Sequence, residues 1–573
     1  MTTQAPVRAS GGVRTRARAA WRPAVVALAV VGLFTLYWRQ SQSVTVSSDG
    51  ASIVLQARAM LHGNLLLRHW RVSDVSFYTT EIPQYALIEA VAGLGARVVH
   101  IGAAATYTLL VLLAAVLARG DARGRPGWSR ALLAAGIMLA PQLSATQILL
   151  LSPDHTGTAV PVLVTWLVID RVTPDRWKGD RWKGDRWNGD RLKGERWKAA
   201  RWVVPLVVFI LLTWTMVADS VVLLTCIAPL VLVCLARACA GLIRRSTRSA
   251  PRWYELSLAG AAAAAGGLGS AAPRVIDALG GYRQAPVEAE TAVAGLRHQA
   301  WLTFQGVLEL FGANVFDARP AIEVVFAALH LAGVILVICA LGVGLTRLFR
   351  VTELLVPVFA VAILVNLAAY MFSQHAVDIL GAREIAAVLP LGAVLAGRVL
   401  GEPLLAPPQR GRGGQGVRAG GRARRWLLPV LGLVAAGYLA ALGYGAAQRP
   451  QPPANQPLAA WLVAHGFTDG LAGYWQANST TVASGARVEV LGVTEAPDGK
   501  LVPYEWETDD SNYDPSRHDA NFVVADGPAA LPWARSVALR TFGPPWRTYR
   551  YRGYMIMVWD TNLLRFLGHP GIV

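Results

Sequence analysis

The residues of this 573-residue chain that could do chemistry stand in short polar stretches between long apolar runs. Asp49, in Ser47-Ser48-Asp49-Gly50, opens an amphipathic stretch and is placed to take a proton from a hydroxyl as a general base. It equally suits a helix N-cap, since Asp just before a helix is preferred there, and a capping carboxylate can still face a cleft. Asp74 precedes Phe77-Tyr78-Thr79-Thr80-Glu81-Ile82-Pro83-Gln84-Tyr85, where Glu81 adds a second carboxylate among rings. Carboxylates accept from sugar hydroxyls and rings stack on apolar sugar faces, although the same rings suit an interfacial aromatic belt. Ser152-Pro153-Asp154-His155-Thr156-Gly157 sets Asp154 beside His155, two side chains able to hold a divalent cation, to contact a phosphate, or to cap the next helix. Arg58 and Arg383 offer guanidinium groups that match phosphate geometry. His375 and Glu384 stand close to Arg383, Arg297-His298 is another basic pair, and Asp219 reads as a turn residue in Ala218-Asp219-Ser220.

These stretches are positioned by apolar elements. Of all residues 54% are hydrophobic and 16% are charged, against about 25% charged in soluble domains. Runs at 23–38, 98–118, 131–151, 157–170, 202–218, 220–236, 255–272, 322–345, 354–372, 384–400 and 426–445 predict about eleven membrane-spanning helices, because backbone groups in lipid must pair within their own segment. The first run lacks a small-residue cleavage site and reads as a retained span. Ala51–Leu67 and Gln84–Ala96 read as helices lying in the membrane interface. The net charge of +18 does not point to nucleic acid, because 34 of the 54 Lys and Arg residues fall at the N-terminus and in alternate short loops. That bias predicts a cytoplasmic N-terminus and a C-terminus on the outer side of the plasma membrane. Four cysteines in or beside apolar runs read as small apolar filler.

Three segments remain: a basic N-terminus at 1–22, a transmembrane domain at 23–445 and a soluble outer domain at 446–573. In the last, helices are expected at Leu458–His465 and Asp469–Ala477. Strands are expected at Arg487–Val493, Leu501–Trp506, Asn521–Ala525 and Tyr549–Trp559, giving a small α+β domain. Tyr474, Trp475, Tyr504, Trp506, Tyr513 and Trp546 could offer rings to glycans, with core and interface packing the more ordinary use of such residues. Glu507-Thr-Asp509-Asp510-Ser-Asn512-Tyr-Asp514 reads as a solvated acidic turn without the spacing of a calcium loop. The loop at 171–201 repeats Asp-Arg-Trp-Lys-Gly with a period of five, which fits neither helix nor strand and reads as a tolerated expansion. The Gly-, Arg- and Pro-rich stretch at 402–425 reads as a flexible linker.

An acidic residue just after the first span, a surface helix behind it, a bundle of many spans and an outer soluble domain together resemble the GT-C class of polyprenyl-phosphate-dependent glycosyltransferases. That class includes the protein O-mannosyltransferases and the aminoarabinose transferases. Ser48-Asp49-Gly50 through Tyr85, Pro153–Gly157, Thr541-Phe542-Gly543-Pro544-Pro545 and Trp559-Asp560 also look like a group of actinobacterial membrane proteins. The resemblance implies an all-α polytopic membrane bundle with a C-terminal extracytoplasmic α+β domain. It implies an inverting glycosyltransferase that moves a sugar from a lipid-linked donor to a cell-envelope glycan or protein acceptor. Only Asp49 matches the acidic position of that class, and it would be catalytic; by their own residue types Arg58, Asp74, Glu81, Asp154, His155 and Arg383 are the candidates for binding substrate. Gly50 departs from the mannosyltransferase pattern, which has a second acidic residue there. The absence of a nucleotide-binding motif fits a lipid-phosphate donor. A glycan-binding scaffold and a transporter are the alternatives. Among bound groups only a divalent cation at Asp154 and His155 is suggested. Membrane lipids are expected partners and nucleic acid is not.

Overall fold

The computed structural model describes residues 11–151, 155–171, 189–243, 250–286, 295–348, 353–405, 420–525 and 534–568. Five helices among them are long and apolar enough to cross a membrane: Pro23–Ser41, Arg97–Arg119, Leu223–Ala240, Ala321–Thr346 and Pro429–Ala446. Ile379–Ile385 with Val388–Leu404, bent by 56°, would make a sixth, and Trp202–Ala218 and Leu355–Met371 are shorter apolar helices. Where the sequence predicts helices at Ala51–Leu67 and Gln84–Ala96, the structure has Ser48–Leu61 (α2) and Glu81–Ala92 (α3), following Gly11–Ser41 (α1) and preceding Arg97–Arg119 (α4).

The run expected to span at 131–151 is not one helix. Gly124–Ile137 (α5) stops, and a single turn at Thr146–Leu149 (α6) follows. Pro141 cannot donate to a helix ladder, and the carbonyls released here find partners on neighbouring helices. Tyr107 donates to Met138 O at 2.8 Å, Tyr37 to Leu139 O at 2.9 Å, and Gln40 Nε2 to Pro141 O at 3.0 Å. Irregular backbone is therefore buried in protein, the condition under which it is tolerated at membrane depth.

The helices join two ends. At one end Arg398 donates to Leu117 O at 2.6 and 2.9 Å and pairs with Asp170 at 2.8 Å, and Arg237 lies 2.9 Å from Glu255. The other end gathers the first loop, residues 155–158, Asp219, residues 282–284 and the segment 375–385. There Phe77 N donates to Ala218 O and Tyr282 N to Leu66 O. Ser76 and Thr79 donate to Val217 O and Trp214 O at 2.7 and 2.6 Å, which satisfies carbonyls at the end of the long helix Gly189–Ala218. That helix also holds the last units of the pentapeptide repeat, from Gly189 onward. The earlier units, at 172–188, and most of the stretch at 402–425, at 406–419, lie outside the described residues.

The C-terminal region is built on a six-stranded sheet. Trp70–Val72 (β1) and Arg283–Gln284 (β2) belong to the loops of the bundle. The sheet comprises Asp469–Ala472 (β3), Glu489–Glu495 (β4), Leu501–Pro503 (β5), Phe522–Ala525 (β7), Arg547–Tyr551 (β8) and Tyr554–Val558 (β9), in the order β5-β4-β3-β7-β9-β8. Central β3 runs parallel to both neighbours. Leu471, Val523 and Met557 face one core, with Val537 and Ala538 of helix Ala534–Phe542. Ala472, Phe522, Val524 and Ile556 face another, under helices Gln456–Ala464 and Tyr474–Ala483. Strands covered on both sides read as continuous apolar runs. The helix expected over 469–477 is instead a strand followed by a helix, separated at Gly473. A Cβ on Gly470 would lie 2.3 Å from the Phe522 ring, so that position admits no side chain.

A small sheet ties this region to the bundle. Thr508–Asp509 (β6) pairs antiparallel with β1, and β1 pairs parallel with β2. Arg71 reinforces the contact, 2.7 Å from Asp510 and 2.8 Å from Glu505. The acidic turn expected to be solvated is thus partly a strand, and its first residue, Glu507, is buried.

Candidate functional site

A cavity of about 510 Å³ lies where the C-terminal region meets the bundle. The bundle contributes Asp49, Ser73, Asp74, Phe77, His155, His375, Arg383 and Glu384, and the C-terminal region contributes Tyr474, Trp475, Gln476, Tyr504, Trp506 and Glu507.

Asp49 stands in the first turn of α2, behind Ser47 as N-cap residue. Its carboxylate does not cap the helix, as expected from the sequence, but accepts from the Tyr474 hydroxyl. Negative charge is favoured there by the helix dipole. Tyr474 also lies 2.6 Å from Glu507 Oε2, and Ser52, one turn along α2 from Asp49, donates to the same oxygen at 2.6 Å. Ser48 Oγ donates to Tyr474 O at 2.7 Å, and Asn478 Nδ2 donates to Glu507 O at 3.1 Å. Glu507 adopts φ +50°, a strained conformation for a non-glycine residue and one concentrated at functional sites. Burial, followed by the charge of Asp49, pushes the Glu507 carboxyl up to about 8. Burial, then Glu507 and Asp49, raise the Tyr474 phenol far above its ordinary value.

A second pair of carboxylates is held differently. His155 Nδ1 lies 2.8 Å from Asp219 Oδ2, and His155 Nε2 lies 2.9 Å from Glu384 Oε2. Thr158 Oγ1 donates to Asp219 Oδ2 at 2.6 Å and Val221 N to Oδ1 at 2.8 Å. Burial works against charging His155, but Asp219 and Glu384 outweigh it and hold the imidazole well above its usual range. Asp219 is therefore more than a turn residue. Asp74 is raised by burial and by Glu384, against the pull of His155, His375 and Arg383.

The structure separates the sequence-expected residues into groups. Asp49, Asp74, His155 and Arg383 line the cavity. Glu81 lies behind it, with the Thr80 hydroxyl on its carboxylate and its Oε1 over Gly157, where a Cβ would leave 1.6 Å. Burial pushes Glu81 up to about 8. Arg58 does not reach the cavity. It follows Asp49 by about two and a half helical turns, so it points from the opposite face, where it pairs with Glu89 at 3.5 Å. Asp154 lies outside the described residues. Arg297 and His298 are exposed at the start of helix Leu296–Leu310 and are not among the lining residues.

Glu507 was hidden from sequence reasoning by the polar residues that follow it. The one available signal was its place between aromatic Trp506 and a short β-prone stretch. Both ring nitrogens of His155 are committed to carboxylates, which does not fit a cation ligand. No group of three or more His, Cys, Asp or Glu among the described residues could hold a metal ion.

No protein-family model matches the chain, and no curated protein matches it in sequence. Among solved structures it is similar to the crystal structure of the Archaeoglobus fulgidus oligosaccharyltransferase tethered to an acceptor peptide, with a TM-score of 0.48, 13% identity, and coverage of 87% of this chain and 69% of that one. It is also similar to the archaeal oligosaccharyltransferase AglB from the same organism, in complex with an inhibitory peptide and a dolichol-phosphate, with a TM-score of 0.45, 13% identity, and coverage of 88% and 70%.

Proposed function

We propose that this chain is a membrane glycosyltransferase that moves a sugar from a polyprenyl-phosphate donor to a hydroxyl of a cell-envelope acceptor. The observation that carries the reading is the cavity itself. An anionic carboxylate on a rigid helix turn faces aromatic rings, and His375 and Arg383 line the same space. In the reaction, the acceptor oxygen attacks the anomeric carbon while the bond from that carbon to the phosphate oxygen breaks. The electron pair leaves with the lipid phosphate, and the acceptor proton passes to Asp49. The Arg383 guanidinium and a ring N–H of His375 donate to the departing phosphate. Trp475 and Trp506 offer faces to sugar rings. The rings and carboxylates equally serve a glycan-binding scaffold, which the test below distinguishes.

In the same proposal the chain crosses the membrane an odd number of times, with residues 1–22 cytoplasmic and residues 446–573 outside. Single cysteines at Arg123 and at Ser516, in a background without Cys239 and Cys339, report sidedness to an impermeant thiol reagent applied to intact cells. Labelling at 516 alone is expected, and labelling at 123 alone reverses the orientation. The activity is tested with purified protein in lipid and a polyprenyl-phosphate sugar. Transfer by the wild type that falls by roughly 10²–10⁴-fold in Asp49→Asn supports the reading. Glycan binding without any transfer replaces it with the scaffold.

A further inference from the structure

We propose that Asp49 and Glu507 hold one proton in common through the Tyr474 hydroxyl, so that the C-terminal region sets the charge of the reactive carboxylate in the bundle. The role given to Asp49 rests on the transferase reading, but the shared proton does not. The geometry points to it by a count of hydrogens. Tyr474 Oη lies within hydrogen-bond distance of Asp49 Oδ1 and of Glu507 Oε2, yet a phenol has one proton to donate. With both carboxyls ionised, one of these two contacts would set bare oxygens against each other in a buried site. With one proton added to Glu507 the network closes. Glu507 donates to Tyr474 Oη, Tyr474 donates to Asp49, and Ser52 donates to Glu507 Oε2 or to Asp49 O at 2.8 Å. The negative charge then rests on Asp49.

The same atoms allow a second arrangement. Glu507 passes its proton to Tyr474 Oη as Tyr474 passes its own to Asp49, leaving Asp49 neutral and Glu507 ionised. No atom is gained or lost and the pair keeps a single negative charge. Tyr474, 425 residues from Asp49 in sequence, thus transmits protonation between the bundle and the C-terminal region.

The groups that act on the pair are accounted for on each side. Ser52 and Ser73 supply hydroxyls to Glu507, and Tyr504 feels both Glu507 and Asp49. Asp74, His155, His375, Arg383 and Glu384 line the remainder of the cavity. Burial and the Asp49 charge keep the Glu507 proton in place until about pH 8. Glu507 is a positioning residue here, because it reaches the substrate only through Tyr474 and Asp49.

The test reads the proton directly, in full-length protein in lipid. The infrared difference between wild type and Glu507→Gln should show a protonated-carboxyl C=O stretch at neutral pH that titrates away above about pH 8. In Tyr474→Phe the Glu507 acid loses its acceptor, so its C=O stretch should move to higher frequency. Where transfer is measurable, its alkaline limb should vanish in Glu507→Gln, whose amide donates to Tyr474 at every pH. An ionised Glu507 at neutral pH, a stretch unmoved in Tyr474→Phe, or an alkaline limb retained in Glu507→Gln overturns the proposal. Wild type that shows the stretch but transfers no sugar overturns the transferase reading and leaves the shared proton standing.

Discussion

Two pairs of carboxyl groups line or adjoin the same cavity, and each is bridged by one aromatic side chain. Asp219 and Glu384 are bridged by His155, and Asp49 and Glu507 by Tyr474. An imidazolium brings a full positive charge and two donors, one for each acid. Each acid receives a donor of its own, and the pair is fixed in place. Asp219 has 0% side-chain exposure, and His155, Thr158 and the Val221 N–H supply the hydrogen bonds that burial takes from water. A phenol brings one donor and no charge. Its pair is left with a charge to share and a proton to move. The difference teaches how one cavity assigns structure to one acid pair and reactivity to the other. The chemistry of the bridge decides it, and the number of acids does not.

The comparison can be broken at either bridge. The largest effect is expected from Asp49→Asn, with transfer down by roughly 10²–10⁴-fold at a nearly unchanged unfolding temperature, because the amide oxygen still accepts from Tyr474. If thermal stability falls instead and transfer survives, the two pairs do not differ in kind. His155→Phe should do the reverse. It strands Asp219 and Glu384 without their cation, and removing one partner of such a group costs about 3–5 kcal/mol, read as a lower unfolding temperature. Tyr474→Phe removes one hydrogen bond to a charged group, about 1.5–3 kcal/mol, and should slow transfer by roughly ten- to a hundred-fold. Full activity in this variant would leave Asp49 independent of the C-terminal region.

Dependence on pH separates the bridges more finely. Both His155 and Glu507 have folded values raised above their unfolded ones, so both bind protons more tightly in the native state, and their contributions to stability are lost as pH rises. For Glu507 the loss runs from about 4.5 to about 8. For His155 it begins near 6.5 and extends well above. Thermal unfolding followed across this range should flatten at its lower part in Glu507→Gln and at its upper part in His155→Phe. The smallest effect on transfer is expected from Arg58→Ala, on the opposite face of α2, where a 40% exposed guanidinium pairs with the buried Glu89: transfer should be unchanged, and any cost should appear only as a lower unfolding temperature. A large loss there would mean that the phosphate is held outside the cavity.

How much of this could be read in the chain before folding differs between particular residues. The apolar runs announced helices because lipid leaves a backbone no other partner; α2 was legible as an amphipathic stretch and α3 as a short apolar one. Asp49 stood out because it follows the first run and opens a helix. The break after Ile137 was not foreseen. Its carbonyls are satisfied by Tyr37, Gln40 and Tyr107, and nothing in the local sequence names partners some 30 to 100 residues away. Arg58 was misplaced because composition ignores which face of a helix a residue occupies.

By itself, then, the sequence determined the alternation of apolar and polar segments, the two-part plan, and the presence of a carboxylate at the start of α2. Each follows from local hydropathy and from helix preferences, which act over a few residues. Tertiary structure alone decided which acids share a bridge. Glu507 looked like part of a solvated turn until β6 paired with β1 and carried it under Tyr474. Asp219 looked like a turn until His155 and Glu384 closed on it. Charge inside a protein depends on burial and on neighbours within a few ångströms, and the neighbours that matter here are brought together from opposite ends of the chain.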